Sequence, residues 1–85
     1  MTEFFKLELL ELSAVGLREL PERFYDYCPG VLYINLNYNE LKDIRPLRKL
    51  KRLKQLAMFG NQLSDNEMVT EVVTRLPTLK YCDFR

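Results

Sequence analysis

Apolar positions recur along this chain in one figure. Leu7-x-x-Leu10-x-Leu12-x-x-Val15-x-Leu17 is followed by Val31-x-x-Ile34-x-Leu36-x-x-Asn39-x-Leu41 and Leu53-x-x-Leu56-x-Met58-x-x-Asn61-x-Leu63. A fourth copy starts as Leu79-x-x-Cys82-x-Phe84 just before Arg85. Successive starts lie 24, 22 and 26 residues apart. Inside each figure the core alternates with period two, the mark of a strand with one buried face. Leu10 and Leu12 are therefore expected to point inward, and Leu9, Glu11 and Ser13 outward. One short strand per copy, stacked on the next, makes a parallel sheet, and the chain must return outside it between strands.

The returns have their own apolar spacing. Leu17, Leu20 and Phe24 recur every three or four residues, and Ile44, Leu47 and Leu50 every three. The third return predicts a helix. Ser64 and Glu67 have the spacing of a capping box, and Met68, Val69, Val72, Val73 and Leu76 fall on one face. Pro77 closes that helix, because its ring cannot continue one.

Three copies in phase, two of them with Asn at the ninth position, resemble the leucine-rich repeat L-x-x-L-x-L-x-x-N-x-L over nearly the whole chain. The resemblance implies an α/β solenoid with short parallel strands on the concave side and helices or turns on the convex side. It implies a single domain over 1–85, with repeats at about 7–30, 31–52 and 53–78 and a truncated fourth at 79–85. It further implies that Asn39 and Asn61 turn inward and hydrogen-bond the backbone of neighbouring loops. An amide suits that task because it carries donors and an acceptor together. The first copy has Val15 at this place.

A stack of repeats needs polar caps over its ends. Phe4 and Phe5 are candidates to fold over the first repeat, whereas Leu79, Cys82 and Phe84 form a strand with no return after it. We therefore expect a fragment of a longer array, or self-association in which the last strand edge pairs with another chain. The short middle repeat, with its return at Ile44 to Leu50, resembles the intracellular class. The wording of residues 27–39, 43–47, 60–64 and 76–85 is similar to the repeat domain of the fungal spindle-pole-body scaffolds of the mitotic exit and septation initiation network. Cys82 and Phe84 stand where those scaffolds have leucines. That resemblance implies docking of signalling proteins at the pole, in a cytoplasmic or cytoskeletal rather than nuclear setting.

Composition narrows the chemistry. With 47% hydrophobic and 29% charged residues, the chain has the makings of a folded, soluble domain. A net charge of +1 gives no global field toward nucleic acid or an acidic membrane. No apolar run reaches the length of a membrane span. Glu3, Glu8 and Glu11 oppose a signal-peptide reading. There is no histidine, and Cys28 and Cys82 form no C-x-x-C pair, so a zinc site, a Ser-His-Asp triad and a Cys-His dyad all fail on inventory. Gly16, Gly30 and Gly60 stand alone, which leaves no phosphate-cradling loop. We expect no enzyme, metal or cofactor, and we read both cysteines as small buried hydrophobes.

Two surfaces remain as candidates. Outward strand positions fall into columns: Leu9, Tyr33, Gln55 and Tyr81; Glu11, Asn35, Ala57 and Asp83; Ser13, Asn37, Phe59 and Arg85, with Tyr38 at the edge. Large aromatic and apolar residues with no core reason to be there suit a protein partner, with polar neighbours as a rim. The predicted protein-binding set is Leu9, Glu11, Tyr33, Asn35, Asn37, Gln55, Phe59, Tyr81 and Asp83. The second surface is basic: Lys42, Arg45, Arg48, Lys49, Lys51, Arg52 and Lys54, with only Asp43 opposing. It suits phosphorylated or acidic segments or RNA, although no aromatic alternates with the charges as a base-stacking platform would need. A purely architectural assembly through strand edges is a third reading.

Overall fold

A computed structural model describes residues 7–79 and 81–83. Each copy of the apolar figure supplies a three-residue strand: β1 (Leu9–Glu11), β2 (Tyr33–Asn35), β3 (Gln55–Ala57) and β4 (Tyr81–Asp83). All pairings are parallel, in the order β1-β2-β3-β4. The register aligns the figure residue for residue, so Leu9, Tyr33, Gln55 and Tyr81 share one row and Glu11, Asn35, Ala57 and Asp83 another. A slip of one residue would turn Leu10, Ile34 and Leu56 out to solvent, which is why the apolar alternation sets the register. Backbone bonds continue past the strand ends, with Leu12 N–H donating to Asn35 C=O at 2.9 Å and Leu36 N–H to Ala57 C=O at 2.6 Å.

The three returns take three different forms. The first holds a single helical turn, α1 (Phe24–Tyr27), which buries Phe24. The second is a 3₁₀ segment, Arg45–Lys49, with Pro46 near its start, where a missing N–H does no harm. In a 3₁₀ turn residues three apart eclipse, so the Ile44, Leu47, Leu50 spacing places one apolar column against the core. The same column carries the backbone bonds, Leu47 N–H to Ile44 C=O at 2.9 Å and Leu50 N–H to Leu47 C=O at 3.1 Å. The third return is α2 (Asn66–Thr74).

The start of α2 corrects the capping-box expectation. Its N-cap is Asp65, whose carboxylate accepts from Met68 N–H at 3.1 Å, so Ser64 lies outside the helix and Glu67 falls one place too early to close a box. A carboxylate satisfies an orphan N–H at least as well as a hydroxyl and also favours the positive end of the helix dipole. The expected apolar face holds: Met68, Val69, Val72 and Leu76 are buried and Val73 packs at the margin. The helix ends at Thr74, before Pro77, and Thr78 Oγ1 lies 2.9 Å from the carbonyls of both Lys51 and Leu53, tying the third return to the second.

Burial is deepest in the middle. Leu36, Leu41, Ile44, Leu47, Leu50, Leu53, Leu56 and Met58 are fully enclosed, while Leu7, Leu10, Leu12 and Leu17 are only partly covered. A repeat touches only its neighbours, so β2 and β3 have cover on both sides and β1 on one. Cys28 packs in the core beside Phe24, and burial pushes its thiol above the usual range. Phe4, Phe5, Phe84 and Arg85, and the side chains of Tyr81, Cys82 and Asp83, lie outside the described residues.

Candidate functional site

Two asparagines hold the loops that follow the strands. Asn39 is buried; its Oδ1 accepts from Val15 N–H at 3.1 Å and Leu17 N–H at 2.9 Å, and its Nδ2 donates to the carbonyls of Leu12, Leu36 and Asn37. Asn61 does the same one repeat later, accepting from Leu41 N–H at 3.0 Å and donating to Leu36 and Met58 carbonyls. Each amide spans two repeats, so the outward strand faces of successive repeats are held in one frame. Val15, which stands at the equivalent place in the first repeat, is 58% exposed.

Just before each of these places the backbone turns left-handed. Ala14 (φ 55°), Tyr38 (φ 60°) and Gly60 (φ 79°) are the equivalent residues of successive repeats. Glycine adopts this conformation freely, whereas a side chain resists it.

The frame presents a face with both apolar and polar character. Leu9 is 62% exposed, Tyr38 60% and Phe59 38%. The rings of Tyr38 and Phe59 meet edge to face, with centroids 5.6 Å apart and planes at 87°. Tyr33 is half-buried in the row of Leu9 and Gln55. Polar groups are linked across the strands. Glu11 accepts from the Ser13 hydroxyl and N–H and from Asn35 Nδ2; Asn35 Oδ1 accepts from Asn37 N–H; Asn37 Oδ1 accepts from Phe59 N–H at 2.7 Å. The Ser13 bonds, with Asn35 adding to them, hold the Glu11 carboxyl below its ordinary range. Of the predicted set, Leu9, Glu11, Tyr33, Asn35, Asn37, Gln55 and Phe59 thus lie on or beside one sheet face. The rows of Tyr81 and Asp83 continue it in backbone register. Tyr38, expected at the edge of the third column, belongs with them: it sits past the strand, and its side chain lies against Gly60 of the next repeat.

The basic stretch is less uniform than its sequence. Arg45 pairs with Asp43 at 3.1 Å, and that contact holds the Asp43 carboxyl low and the guanidinium high. Arg48 reaches Glu22 at 4.0 Å, so Asp43 is not its only opposing acid; the first return contributes another from 26 residues upstream. These residues, with Glu19, line an open groove of about 440 Å³ with mixed charge. Lys51 donates to Arg75 C=O at 2.8 Å, placing a cation at the negative end of α2. Lys42, Lys49, Arg52 and Lys54 are exposed.

The leucine rich repeat pattern matches residues 5–63 of this chain. Among solved structures, a chain in the structure of the Chaetomium Mex67:Mtr2 subunits has a similar fold, with a TM-score of 0.71 and 17% identity. The match covers 92% of this chain and 54% of that one, so this chain spans about half the length of the solved chain it resembles.

Proposed function

The chain belongs to the leucine-rich repeat family, whose domains generally mediate protein–protein contacts and are typically non-enzymatic, and we propose that it is a scaffold or adaptor that receives a protein partner on the outward strand face. The observation that carries this reading is the exposure of Leu9, Tyr38 and Phe59 on a face that covers no core of its own. Interface hot spots favour tyrosine anchors such as Tyr38, worth about 2 kcal/mol or more when desolvated by a partner. In this reading repeats at about 7–30, 31–52, 53–78 and 79–85 stack as a solenoid, with this face concave. A role docking signalling proteins at the spindle pole, in the cytoplasm or cytoskeleton, rests on the wording of residues 27–39, 43–47, 60–64 and 76–85 alone.

The test is quantitative affinity capture from cell extract with the wild-type chain and a Tyr33→Asp, Phe59→Asp variant whose circular dichroism is unchanged. Proteins lost selectively by the variant are the expected result. An unchanged set would sink the reading and turn attention elsewhere. A second reading has its own observation: Lys49, Arg52 and Lys54 are exposed and form no ion pair among the described residues. Binding of a phosphorylated or acidic segment there would weaken steeply with salt, unlike an apolar-centred contact.

A further inference from the structure

Tyr38 occupies a place its own backbone resists. At φ 60° it is left-handed, whereas the equivalent residue of the next repeat is Gly60, which adopts φ 79° without cost. Tyrosine does nothing for the core here, since it is 60% exposed. Yet its ring is closely fitted. It meets Phe59 edge to face at 5.6 Å, and it lies so near Gly60 that a Cβ there would come within 2.7 Å of Tyr38 Cδ1. Strained residues persist where surroundings over-determine them, and an aromatic pinned before binding has little rotamer freedom left to lose. Those are the properties of a binding anchor.

The charge on the same face points to the partner's chemistry. Among the outward positions of β1, β2 and β3, Glu11 alone is charged. Oε1 takes the Ser13 hydroxyl and N–H, and Oε2 takes the Asn35 amide at 3.0 Å. A carboxylate has about four acceptor sites, so this one is fixed in orientation with capacity left for an incoming donor. Neighbouring strands lie about 4.8 Å apart and residues rise about 3.3 Å along each. Two strands across and two residues along therefore separate the Glu11 place from the Phe59 place by about 12 Å. An extended peptide covers that distance in three or four residues.

We infer that this face is a receptor for a cationic, extended peptide segment of a partner protein: an arginine or lysine meets the Glu11 carboxylate, and an apolar side chain three or four residues away packs on the Tyr38–Phe59 pair. The inference rests on the outward face being the binding face and adds the chemistry of its occupant and the role of Tyr38.

The probe is a phage-displayed library of random peptides panned on this chain, followed by fluorescence anisotropy with one enriched peptide. The expected sequences pair a basic residue with an aromatic or aliphatic one at a spacing of three or four. Glu11→Gln and Tyr38→Asn should each weaken the peptide about tenfold. Asn tolerates the left-handed region, so Tyr38→Asn should keep or raise the thermal midpoint while losing affinity, a combination a purely structural tyrosine would not produce. A midpoint lowered by Tyr38→Asn together with unchanged affinity overturns the assignment of Tyr38. Enriched peptides without basic residues, indifferent to Glu11→Gln but lost in Phe59→Asp, overturn the cationic occupant and leave the binding face standing. Peptides indifferent to Tyr33→Asp and Phe59→Asp, or a panning that enriches nothing, overturn both.

Discussion

Asn39 and Tyr38 are adjacent and work in opposite directions. Asn39 is a buried amide whose donors and acceptor are all engaged across two repeats. Removing it takes this partner from the Val15 and Leu17 N–H groups and from the Leu12 carbonyl, while Leu36 C=O keeps Asn61 Nδ2 and Asn37 C=O keeps Ala14 N–H. Each group left unpaired costs about 1–3 kcal/mol unless water or relaxation re-pairs it. Asn61 is less buried and accepts from one N–H rather than two. Asn39→Ala is therefore expected to destabilise the fold by about 3 kcal/mol, and Asn61→Ala by about half as much. Urea denaturation of the two variants checks this, and an equal or inverted ranking would show that bond count and burial do not decide the difference. Tyr38 instead accepts a strained backbone, a cost of order 1 kcal/mol, to hold an aromatic ring over Gly60. Both effects come from the same tight turn, which needs a left-handed residue just before the inward asparagine.

At the scale of elements, the three returns show how similar apolar spacing yields different local structure. Spacing by three with an early proline makes the 3₁₀ segment Arg45–Lys49, because a tighter helix keeps Ile44, Leu47 and Leu50 in one column. The wider stripe of Met68, Val69, Val72 and Leu76 needs 3.6 residues per turn and makes α2. The α2 boundary is set by Asp65, and that difference is measurable. Asp65→Ala is expected to cost about 1 kcal/mol, the usual worth of a carboxylate N-cap, and Ser64→Ala less than about 0.5 kcal/mol. Thermal melts of the two variants check the order, and a larger loss from Ser64→Ala would restore the capping-box reading. Lys51 and Thr78 matter at this scale too. They bind the end of α2 to the second return through backbone carbonyls, so one member of the basic stretch serves the fold directly.

Across the whole molecule, stability should follow cover. The second repeat and the start of the third supply most of the fully buried side chains, whereas in the first repeat Leu20, Phe24 and Cys28 are buried but Leu7, Leu10, Leu12 and Leu17 are only partly covered. Since repeats interact with nearest neighbours only, opening can begin at a flank while the middle stays closed. Native-state hydrogen exchange should therefore find the Leu36 amide, bonded to Ala57 C=O, among the slowest, exchanging at the free energy of global unfolding. The Leu12 amide, bonded to Asn35 C=O, should exchange through smaller openings. Equal protection at both amides would mean that the repeats unfold as one unit.

Strand positions, register and the inward leucines were legible in the amino-acid sequence because period-two alternation repeated in phase leaves one pairing that buries every apolar residue. The two inward asparagines were legible by resemblance, and the outward rows followed from the register. Three things were not. The helix cap at Asp65 was hidden because Ser64 and Asp65 are both good caps, and only the path of the chain out of the third strand selects between them. The partial neutralisation of the basic stretch was hidden because Arg48 and Glu22 are 26 residues apart and meet only when the returns stack. The fit of Tyr38, placed at the edge of the third column, was hidden because it lies in a left-handed backbone and a ring against the next repeat's glycine, and neither is a property of spacing. Local periodicity determined which residues go in; contacts between repeats, which periodicity does not encode, decided what the outward surface offers.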